Sequence, residues 1–262
     1  MSSLLINKLD ITCFYLYTWQ MPSIAQKIAQ RIQGLPEDIS FGYEQLDITR
    51  EEYSTAAKVL ERLQKKGEIK KLSKGIFYKP KKTVFGEKRP DEQQLLKPYL
   101  YQNGQRTAYI TGDYLYNQLG LTTQLPAVIK IASRHRRIFI NTGAIKATAI
   151  KSYVDVTEDN YQLLGFLDAM KDLKQIADVD IENAITIFKD RVGALDKQQR
   201  QAMIQYALAY PPRVRALLGA ILTDLDQQDG VDDLRNSINP LTTFKLALPN
   251  QLLTSATDWN IQ

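Results

Sequence analysis

The hydrophobic and polar positions between residues 22 and 82 follow a helical pattern first and a strand pattern afterwards. Apolar residues recur every three or four positions over 23–33 and again over 49–67, which predicts two amphipathic helices, with a short helix between them after residue 41. Two β-prone segments, 68–72 and 76–79, then flank the polar turn 73–75, as in a β-hairpin. This order of elements predicts a winged helix-turn-helix over residues 22–85, in which the hairpin is the wing.

The longer helix has a distinct start, end and packed face. Thr49 and Glu52 stand three positions apart, so they can form a capping box that begins the helix near Arg50. Gly67 ends it, because glycine adopts the left-handed conformation of a helix terminus without steric cost. With successive residues about 100° apart, the stripe expected to pack is Glu52, Ala56, Val59, Leu60 and Leu63. The stripe expected to be free is Arg50, Ser54, Lys58, Arg62 and Lys65.

Three aromatic residues of this region are assigned by the same geometry. Tyr53 lies beside the packed stripe of the longer helix, which favours a core position over base stacking. Phe77 and Tyr78 are consecutive in the second hairpin segment, so side chains on opposite faces of a strand are expected. One of the two should therefore pack on the helices and the other should face outward.

Positive charge is concentrated in the predicted module. Residues 50–82 contain eleven basic and four acidic side chains, a net charge of +7, whereas the whole chain carries +5. The remainder of the chain therefore sums to −2. A basic patch confined to one segment is expected of a surface that neutralises phosphates, so double-stranded DNA is the leading partner.

The predicted mode of binding places the first half of the longer helix in a major groove. The side chains expected nearest the bases are Arg50, Ser54, Thr55 and Lys58. An arginine there can read guanine by paired hydrogen bonds. The wing lysines Lys70, Lys71 and Lys74 would add affinity through phosphates, without sequence information. The alternatives are an ordinary solvated helix face for any single side chain, and a protein-binding role for the module.

Composition agrees with an intracellular regulator of two domains. The chain has 262 residues, 44% of them hydrophobic, and no run apolar enough to span a membrane. Its single cysteine, Cys13, excludes an intramolecular disulfide and a cysteine-based zinc cluster, and fits a reducing cytoplasm. Residues 1–21 are interpreted as a disordered or non-native extension, since Met21 offers a second possible start.

A break rich in proline, glycine and charge over 79–90 marks the predicted domain boundary, and the second domain is expected to cover 91–262. Its first part is predicted to have helices over 91–103 and 112–119 and strands over 127–133 and 137–141. Helices are then expected over 161–173, 181–192, 197–209 and 212–225. Pro212 suits the first turn of the last one. The predicted fold class is therefore α+β: an N-terminal winged helix-turn-helix, then a mixed α+β domain with a mostly helical C-terminal part.

No catalytic residue, metal site or cofactor is predicted. The only histidine, His135, lies in a basic turn, where neighbouring cations disfavour a charged imidazolium acid. The arginines of that turn, Arg134, Arg136 and Arg137, are instead the candidates for a second nucleic-acid contact. Five aspartates from Asp224 to Asp233 lack the spacing of a calcium loop and are interpreted as a solvated helix end and loop. The sequence also lacks a glycine-rich loop of the P-loop type.

Several short motifs occur together in this chain. In the first domain they are YSTAAK at 53–58, LERL at 60–63, KG at 66–67, KGIFYKPKK at 74–82 and FG at 85–86. In the second they are TG at 111–112, LGLTTQ at 119–124, RALLGA at 215–220, NP at 239–240 and WNI at 259–261. The combination resembles the AbiEi-type antitoxin and transcriptional-regulator family of bacteria, over nearly the whole chain after Met21.

The resemblance implies a winged-helix domain that represses its own operon at its promoter, where an inverted repeat is the expected site. It also implies a C-terminal domain that counters a nucleotidyltransferase-type toxin, with or without direct contact. By that analogy Ser54, Lys58, Arg62, Lys74 and Gly75 carry DNA contact or wing geometry. Two other classes stay open on the residues alone: a protein-interaction adaptor, and a nucleic-acid-processing enzyme that uses the winged helix for delivery.

Overall fold

A computed structural model describes residues 22–83, 86–87, 92–141, 145–246 and 252–262. The chain divides into two compact units, Met1–Pro90 and Asp91–Gln262. Both units combine helices with antiparallel or mixed sheets, so the mixed α+β class predicted from sequence is confirmed. The extension expected over residues 1–21 lies outside the described residues.

Where the structure describes it, the first unit has two α-helices and short strands. In chain order its elements are α1 (Ile24–Gly34), β1 (Ser40–Gly42), 3-10 turns at Glu44–Leu46 and Arg50–Glu52, α2 (Tyr53–Lys65), β2 (Lys70–Ser73), β3 (Ile76–Tyr78), β4 (Lys82–Thr83) and β5 (Gly86–Glu87). Strands β1, β3 and β2 form an antiparallel sheet in that order. The sequence patterns predicted the hairpin β2–β3 but not β1, and the short helix expected after residue 41 is a single 3-10 turn.

Local capping sets the ends of α1 and α2. The Ser23 hydroxyl accepts the backbone N–H of Gln26 at 3.3 Å, and the Gln26 side chain accepts that of Ser23 at 2.9 Å. The predicted pair at the start of α2 is present too, since the Glu52 carboxylate accepts the Thr49 N–H at 2.9 Å. Gly67 has a φ of 70° and closes the helix. Its N–H donates to the carbonyl of Gln64 at 2.9 Å, and the next N–H donates to Leu63 at 3.0 Å, which together form a Schellman motif.

The predicted stripe of α2 forms the centre of the first core. The buried members are Ala56, Val59, Leu60 and Leu63, while Glu52 is half-buried. Two aromatic assignments are wrong: Tyr53 is 45% exposed rather than in the core, and Tyr78 is buried as well as Phe77. Consecutive strand residues point to opposite faces, so the sheet is covered on both faces at this position.

The second unit contains seven helices in its described residues and a four-stranded sheet. In chain order its elements are α3 (Glu92–Leu100), β6 (Tyr101–Gln102), β7 (Gln105–Arg106), β8 (Ala108–Thr111), α4 (Asp113–Gln118), β9 (Ile129–Ser133), β10 (Ile140–Asn141), β11 (Lys146–Lys151), α5 (Tyr161–Asp172), α6 (Ile181–Gly193), α7 (Lys197–Ala207), α8 (Pro212–Asp224) and α9 (Val231–Asn236). The four C-terminal helices predicted from sequence are α5 to α8, each within two residues of its predicted ends. None of these described helices is both long and apolar enough to cross a bilayer.

The sheet of this unit has the order β10-β11-β9-β8, with β11 parallel to β9 and the other pairs antiparallel. Strands β8 and β11 were not predicted. The helix expected over 91–103 ends at Leu100, because residues 101–106 form the hairpin β6–β7 instead. Strands β9 and β10 are shorter than the predicted 127–133 and 137–141.

A buried carboxylate joins the sheet to the helices. Asp168 of α5 accepts hydrogen bonds from the hydroxyls of Tyr109 and Thr111, both at 2.8 Å. The Tyr210 hydroxyl donates at 3.3 Å, and Lys171 Nζ lies 3.3 Å from the same carboxylate. Four donors therefore satisfy a charge that is removed from water, which is the condition for burying a carboxylate.

The side chain of Asp224, at the end of α8, is only 3% exposed, although the residue as a whole is half-buried. Its carboxylate accepts the Ser255 N–H at 2.8 Å, the Thr254 hydroxyl at 2.9 Å and Lys189 Nζ at 3.0 Å. Burial alone would raise the pKa of Asp224, but the hydrogen bonds outweigh it and hold the pKa well below its ordinary value. The interpretation of this segment as a solvated helix end and loop is therefore wrong for Asp224, whereas Asp226, Asp229, Asp232 and Asp233 are exposed as expected. The last two lie on α9, which forms where loop was expected.

We expect Asp224→Asn to lower the free energy of unfolding by about 2 kcal/mol at neutral pH, since hydrogen bonds to a charged group are lost. The folded pKa is depressed, so this stabilisation is present above the unfolded value of 3.8 and is lost as pH falls through the acid range. Denaturant unfolding followed by Trp259 fluorescence, in a Trp19→Phe background, measures the difference. Asp159→Asn, at an exposed turn, is the control. A difference of the same size at neutral pH and at about pH 2, well below the unfolded pKa, would contradict the assignment.

Gly219 of α8 allows the ring of Trp259 to lie directly on the helix backbone. A Cβ at this position would be 2.2 Å from the indole ring, and Trp259 is only 2% exposed. We expect Gly219→Ala to lower the free energy of unfolding by roughly 3 kcal/mol, because the rigid buried ring must move. Gly193→Ala is the matched control: its Cβ would meet Leu225 at an ordinary 3.8 Å, and it should cost nothing. If both variants lowered the free energy of unfolding equally in the same assay, this packing role of Gly219 would be refuted.

Candidate nucleic-acid interface

The outward face of α2 and its preceding turn carries the residues expected to read DNA. Arg50, Ser54, Lys58 and Arg62 are all exposed, and Thr55 is half-buried beside them. The face is exposed because the opposite stripe of the same helix fills the core of the first unit. The structure therefore places the predicted base-reading side chains on the outward side of α2 and of the 3-10 turn that precedes it.

The cations of this face differ in whether they have partners. Lys65 pairs with Glu61 at 2.8 Å, and Lys66 lies 3.9 Å from Glu68. The hydrogen bond from Lys65 lowers the pKa of Glu61. Arg50, Lys58 and Arg62 make no ion pair or hydrogen bond through their side chains within the described residues. Positive charge without a counterion thus extends from the turn before α2 to the last turn of the helix.

A second set of contacts fixes the turn that leads into α2. The guanidinium of Arg31, on α1, pairs with Asp47 at 2.8 Å and donates to the backbone carbonyls of Leu46 and Asp47. This arginine therefore anchors the 3-10 turn Glu44–Leu46 against α1 and is engaged within the unit. Its role is to hold the approach to α2 in place.

The hairpin presents its lysines around a tight turn. Ser73 and Ile76 are paired across it, so Lys74 and Gly75 form the two-residue turn, in which Gly75 has a φ of 78°. Lys70, Lys71 and Lys74 are exposed, and Lys71 and Lys74 have no partner among the described residues. Lys79, by contrast, donates from Nζ to the carbonyl of Gln33 at 3.1 Å and so closes the end of α1.

Tyr53 is a candidate contact that the sequence patterns assigned to the core. Its ring packs edge-on against Tyr43, with ring centroids 5.4 Å apart, and Tyr43 in turn packs edge-on against Phe77 at 6.3 Å. The aromatic chain links the start of α2 to the hairpin while leaving Tyr53 nearly half exposed. Its position three residues after Arg50 was the signal that could have placed it on this surface, because residues three apart are neighbours on a helix.

The basic turn of the second unit is only partly a surface feature. Arg136 donates to the Tyr99 carbonyl at 2.9 Å and to the Thr107 hydroxyl at 2.5 Å, and burial lowers its pKa. Arg134 is exposed but donates to the Ser152 carbonyl at 3.2 Å, and Arg137 is exposed without a partner among the described residues. Arg136 therefore serves the fold, which corrects its expected place in a second nucleic-acid contact.

The fold and this surface define a mixed α+β protein of two compact units, the first of which carries a basic helix face and a basic hairpin. Residues 24–199 match the model of DUF6088, a family of unknown function, and the chain belongs to that family. No curated protein matches it. The crystal structure of the RV2827C protein from Mycobacterium tuberculosis is similar, with a TM-score of 0.50 and 9% identity over 86% of each chain. At that identity the likeness concerns the fold alone.

We expect Gly75→Ala to lower the free energy of unfolding of the first unit by about 1 kcal/mol, because a side chain is strained at positive φ. Gly34→Ala is the matched control, since Gly34 ends α1 without positive φ and an added Cβ would meet nothing within 4 Å. Thermal unfolding followed by circular dichroism compares the two variants. Equal stability of both variants would contradict the turn geometry on which the β2–β3 hairpin depends.

Proposed function

We propose that this protein is a DNA-binding transcriptional regulator whose first unit is a winged helix-turn-helix. The observation that carries the proposal is the face of α2, on which Arg50, Lys58 and Arg62 are exposed without counterions. The order helix, strand, short turn, helix and hairpin, with the sheet order β1-β3-β2, supports the winged-helix assignment. Under this proposal α2 is the recognition helix and the β2–β3 hairpin is the wing.

The first half of α2 would enter a major groove. Arg50, Ser54, Thr55 and Lys58 would face the base edges, with Arg62 further along the same helix. Arginine can donate two hydrogen bonds to guanine, and serine or threonine can donate to or accept from several bases. The half-exposed Tyr53 would contact the sugar-phosphate backbone beside them, since its ring is already held by Tyr43.

The hairpin would follow the flanking phosphates. Lys70, Lys71 and Lys74 lie around a turn whose shape depends on Gly75, and lysines on phosphates raise affinity without selecting sequence. The surface thus divides into side chains that select a sequence and side chains that only strengthen binding. A regulator needs both kinds of side chain, whereas an adaptor that binds an acidic protein does not need side chains that select a DNA sequence.

The resemblance to AbiEi-type antitoxins supports a more specific proposal. The regulator would repress its own operon from its promoter, at an inverted repeat, and the second unit would counter a nucleotidyltransferase-type toxin. Arg134 and Arg137, exposed in that unit, are the residues available for a second nucleic-acid contact. DNA binding by the first unit does not depend on the toxin, so DNA binding and the antitoxin role are tested separately.

Substitutions should separate the two classes of DNA contact. We expect Lys71→Ala with Lys74→Ala to weaken binding to all sequences evenly and to reduce the slope of log affinity against log salt by about 2. Arg50→Ala or Ser54→Ala should instead reduce preference for the chain's own upstream DNA by about 1 to 3 kcal/mol for each lost base contact. Fluorescence anisotropy with labelled upstream and scrambled duplexes, at several salt concentrations, measures both quantities.

The matched control replaces Lys146 and Lys151, two exposed lysines of β11 in the second unit, with alanine. It removes the same charge as the wing variant and should leave affinity, salt slope and sequence preference unchanged. Identical behaviour of the wing and helix variants would refute the groove model. An equal loss in the β11 control would show that binding follows total charge and not this surface.

A further inference from the structure

A cavity of about 620 Å³ opens within the second unit, and nothing in the regulator described above uses it. It is lined by residues of α3, the β6–β7 hairpin, β8, α4, α5 and the end of α6. Small-molecule sites in proteins have volumes of roughly 300 to 1,000 Å³. The cavity is therefore large enough for an organic molecule, and far larger than a single inorganic ion needs.

The lining combines positive charge with aromatic and aliphatic surface. Three of the lining residues are cationic, Lys97, Arg106 and Arg191, and no aspartate or glutamate lines the cavity among the described residues. Lys97 and Arg191 are exposed and have no ion pair within the described residues. Beside the cavity, Glu158 is bound by Arg106, and Lys97 is near enough to contribute to lowering its pKa. With Arg106 offset by Glu158, two cations remain, and a concave site with this excess of positive charge attracts an anion.

Arg106 holds the part of the cavity lining formed by Tyr101 and Tyr161 in a fixed arrangement. Its side chain is only 10% exposed and donates from Nε to Glu158 at 2.9 Å and from Nη2 to the Tyr101 hydroxyl at 2.8 Å. The guanidinium also lies 3.7 Å from the centre of the Tyr161 ring and 4.8 Å from that of Tyr101. Both tyrosines line the cavity, so their rings are fixed before any ligand arrives. Fixed aromatic walls reduce the entropy that binding must overcome.

The remaining surface is apolar. Ile110, Leu115, Leu119 and Phe166 line the cavity beside the tyrosines. Because Gly165 has no Cβ, α5 approaches α4 closely here, and an added Cβ would lie 2.7 Å from Leu115. An apolar wall next to aromatic rings favours the flat face of a ring over a hydrated ion.

We propose that this cavity binds a small organic anion that carries a planar ring. Lys97 and Arg191 pair with the anionic group, and the ring packs among Tyr101, Tyr161 and Phe166. A nucleotide and an aromatic carboxylate share this chemistry. The proposal goes beyond transcriptional regulation and does not depend on DNA binding.

Isothermal titration calorimetry of the full chain distinguishes nucleotides from aromatic carboxylates as ligands. Adenosine monophosphate represents nucleotides and salicylate represents aromatic carboxylates, while inorganic phosphate and adenosine supply the charge and the ring alone. We expect saturable binding of one or both ring-bearing anions at one site per chain, and at least about tenfold weaker binding of phosphate and adenosine. Binding by adenosine monophosphate alone assigns the site to nucleotides, and binding by salicylate alone assigns it to aromatic carboxylates.

The charge requirement is tested by Lys97→Gln together with Arg191→Gln, both at exposed positions, so that the fold is retained as checked by circular dichroism. This double variant should lose about tenfold or more in affinity. Lys146→Gln with Lys151→Gln is the matched control and should bind as the unsubstituted chain does. Lack of saturable binding by both ring-bearing anions at millimolar concentration would overturn the proposal. Equal affinity of the cavity variant and the control would overturn it as well.

Discussion

Burial of one stripe of α2 is the constraint on which the candidate interface depends. Ala56, Val59, Leu60 and Leu63 are buried against α1 and the sheet of the first unit. An α-helix repeats every 3.6 residues, so fixing the buried stripe also fixes which side chains lie on the opposite, outward side of the helix. The outward positions of Arg50, Ser54, Lys58 and Arg62 are therefore consequences of the core, and they cannot change without disrupting it.

The charges on that surface have an electrostatic cost when the protein is alone. Like charges on one face repel each other, and counterions from solvent screen them only partly. Other basic side chains of the unit have partners within it: Arg31 pairs with Asp47, Lys65 pairs with Glu61, and Lys79 donates to a helix-end carbonyl. The cations left without partners within the described residues include Arg50, Lys58 and Arg62 along the outward face and Lys71 and Lys74 of the hairpin, where a polyanion would replace the missing counterions.

Features set by neighbouring residues were predictable from sequence. The capping pair Thr49 and Glu52, the helix end at Gly67 and the start of α8 at Pro212 depend only on residues a few positions apart. Strands β1 and β11 escaped prediction because each is defined by a partner distant in the chain, β3 and β9 respectively. Asp168 and Asp224 have no local sign of burial, since all their donors except Lys171 come from 30 or more residues away. Tyr53 was wrongly assigned to the core because a residue at the edge of the buried stripe can either pack in the core or face solvent.

The most direct test of the account is a gel-shift titration of the unsubstituted chain against its own upstream DNA and a scrambled duplex of equal length, at two salt concentrations. The account predicts selective binding to the upstream DNA that weakens steeply as salt rises, with a slope set by the number of phosphates neutralised. Equal affinity for both duplexes, or no binding to either at low salt, would contradict the assignment of this surface to sequence-specific DNA recognition.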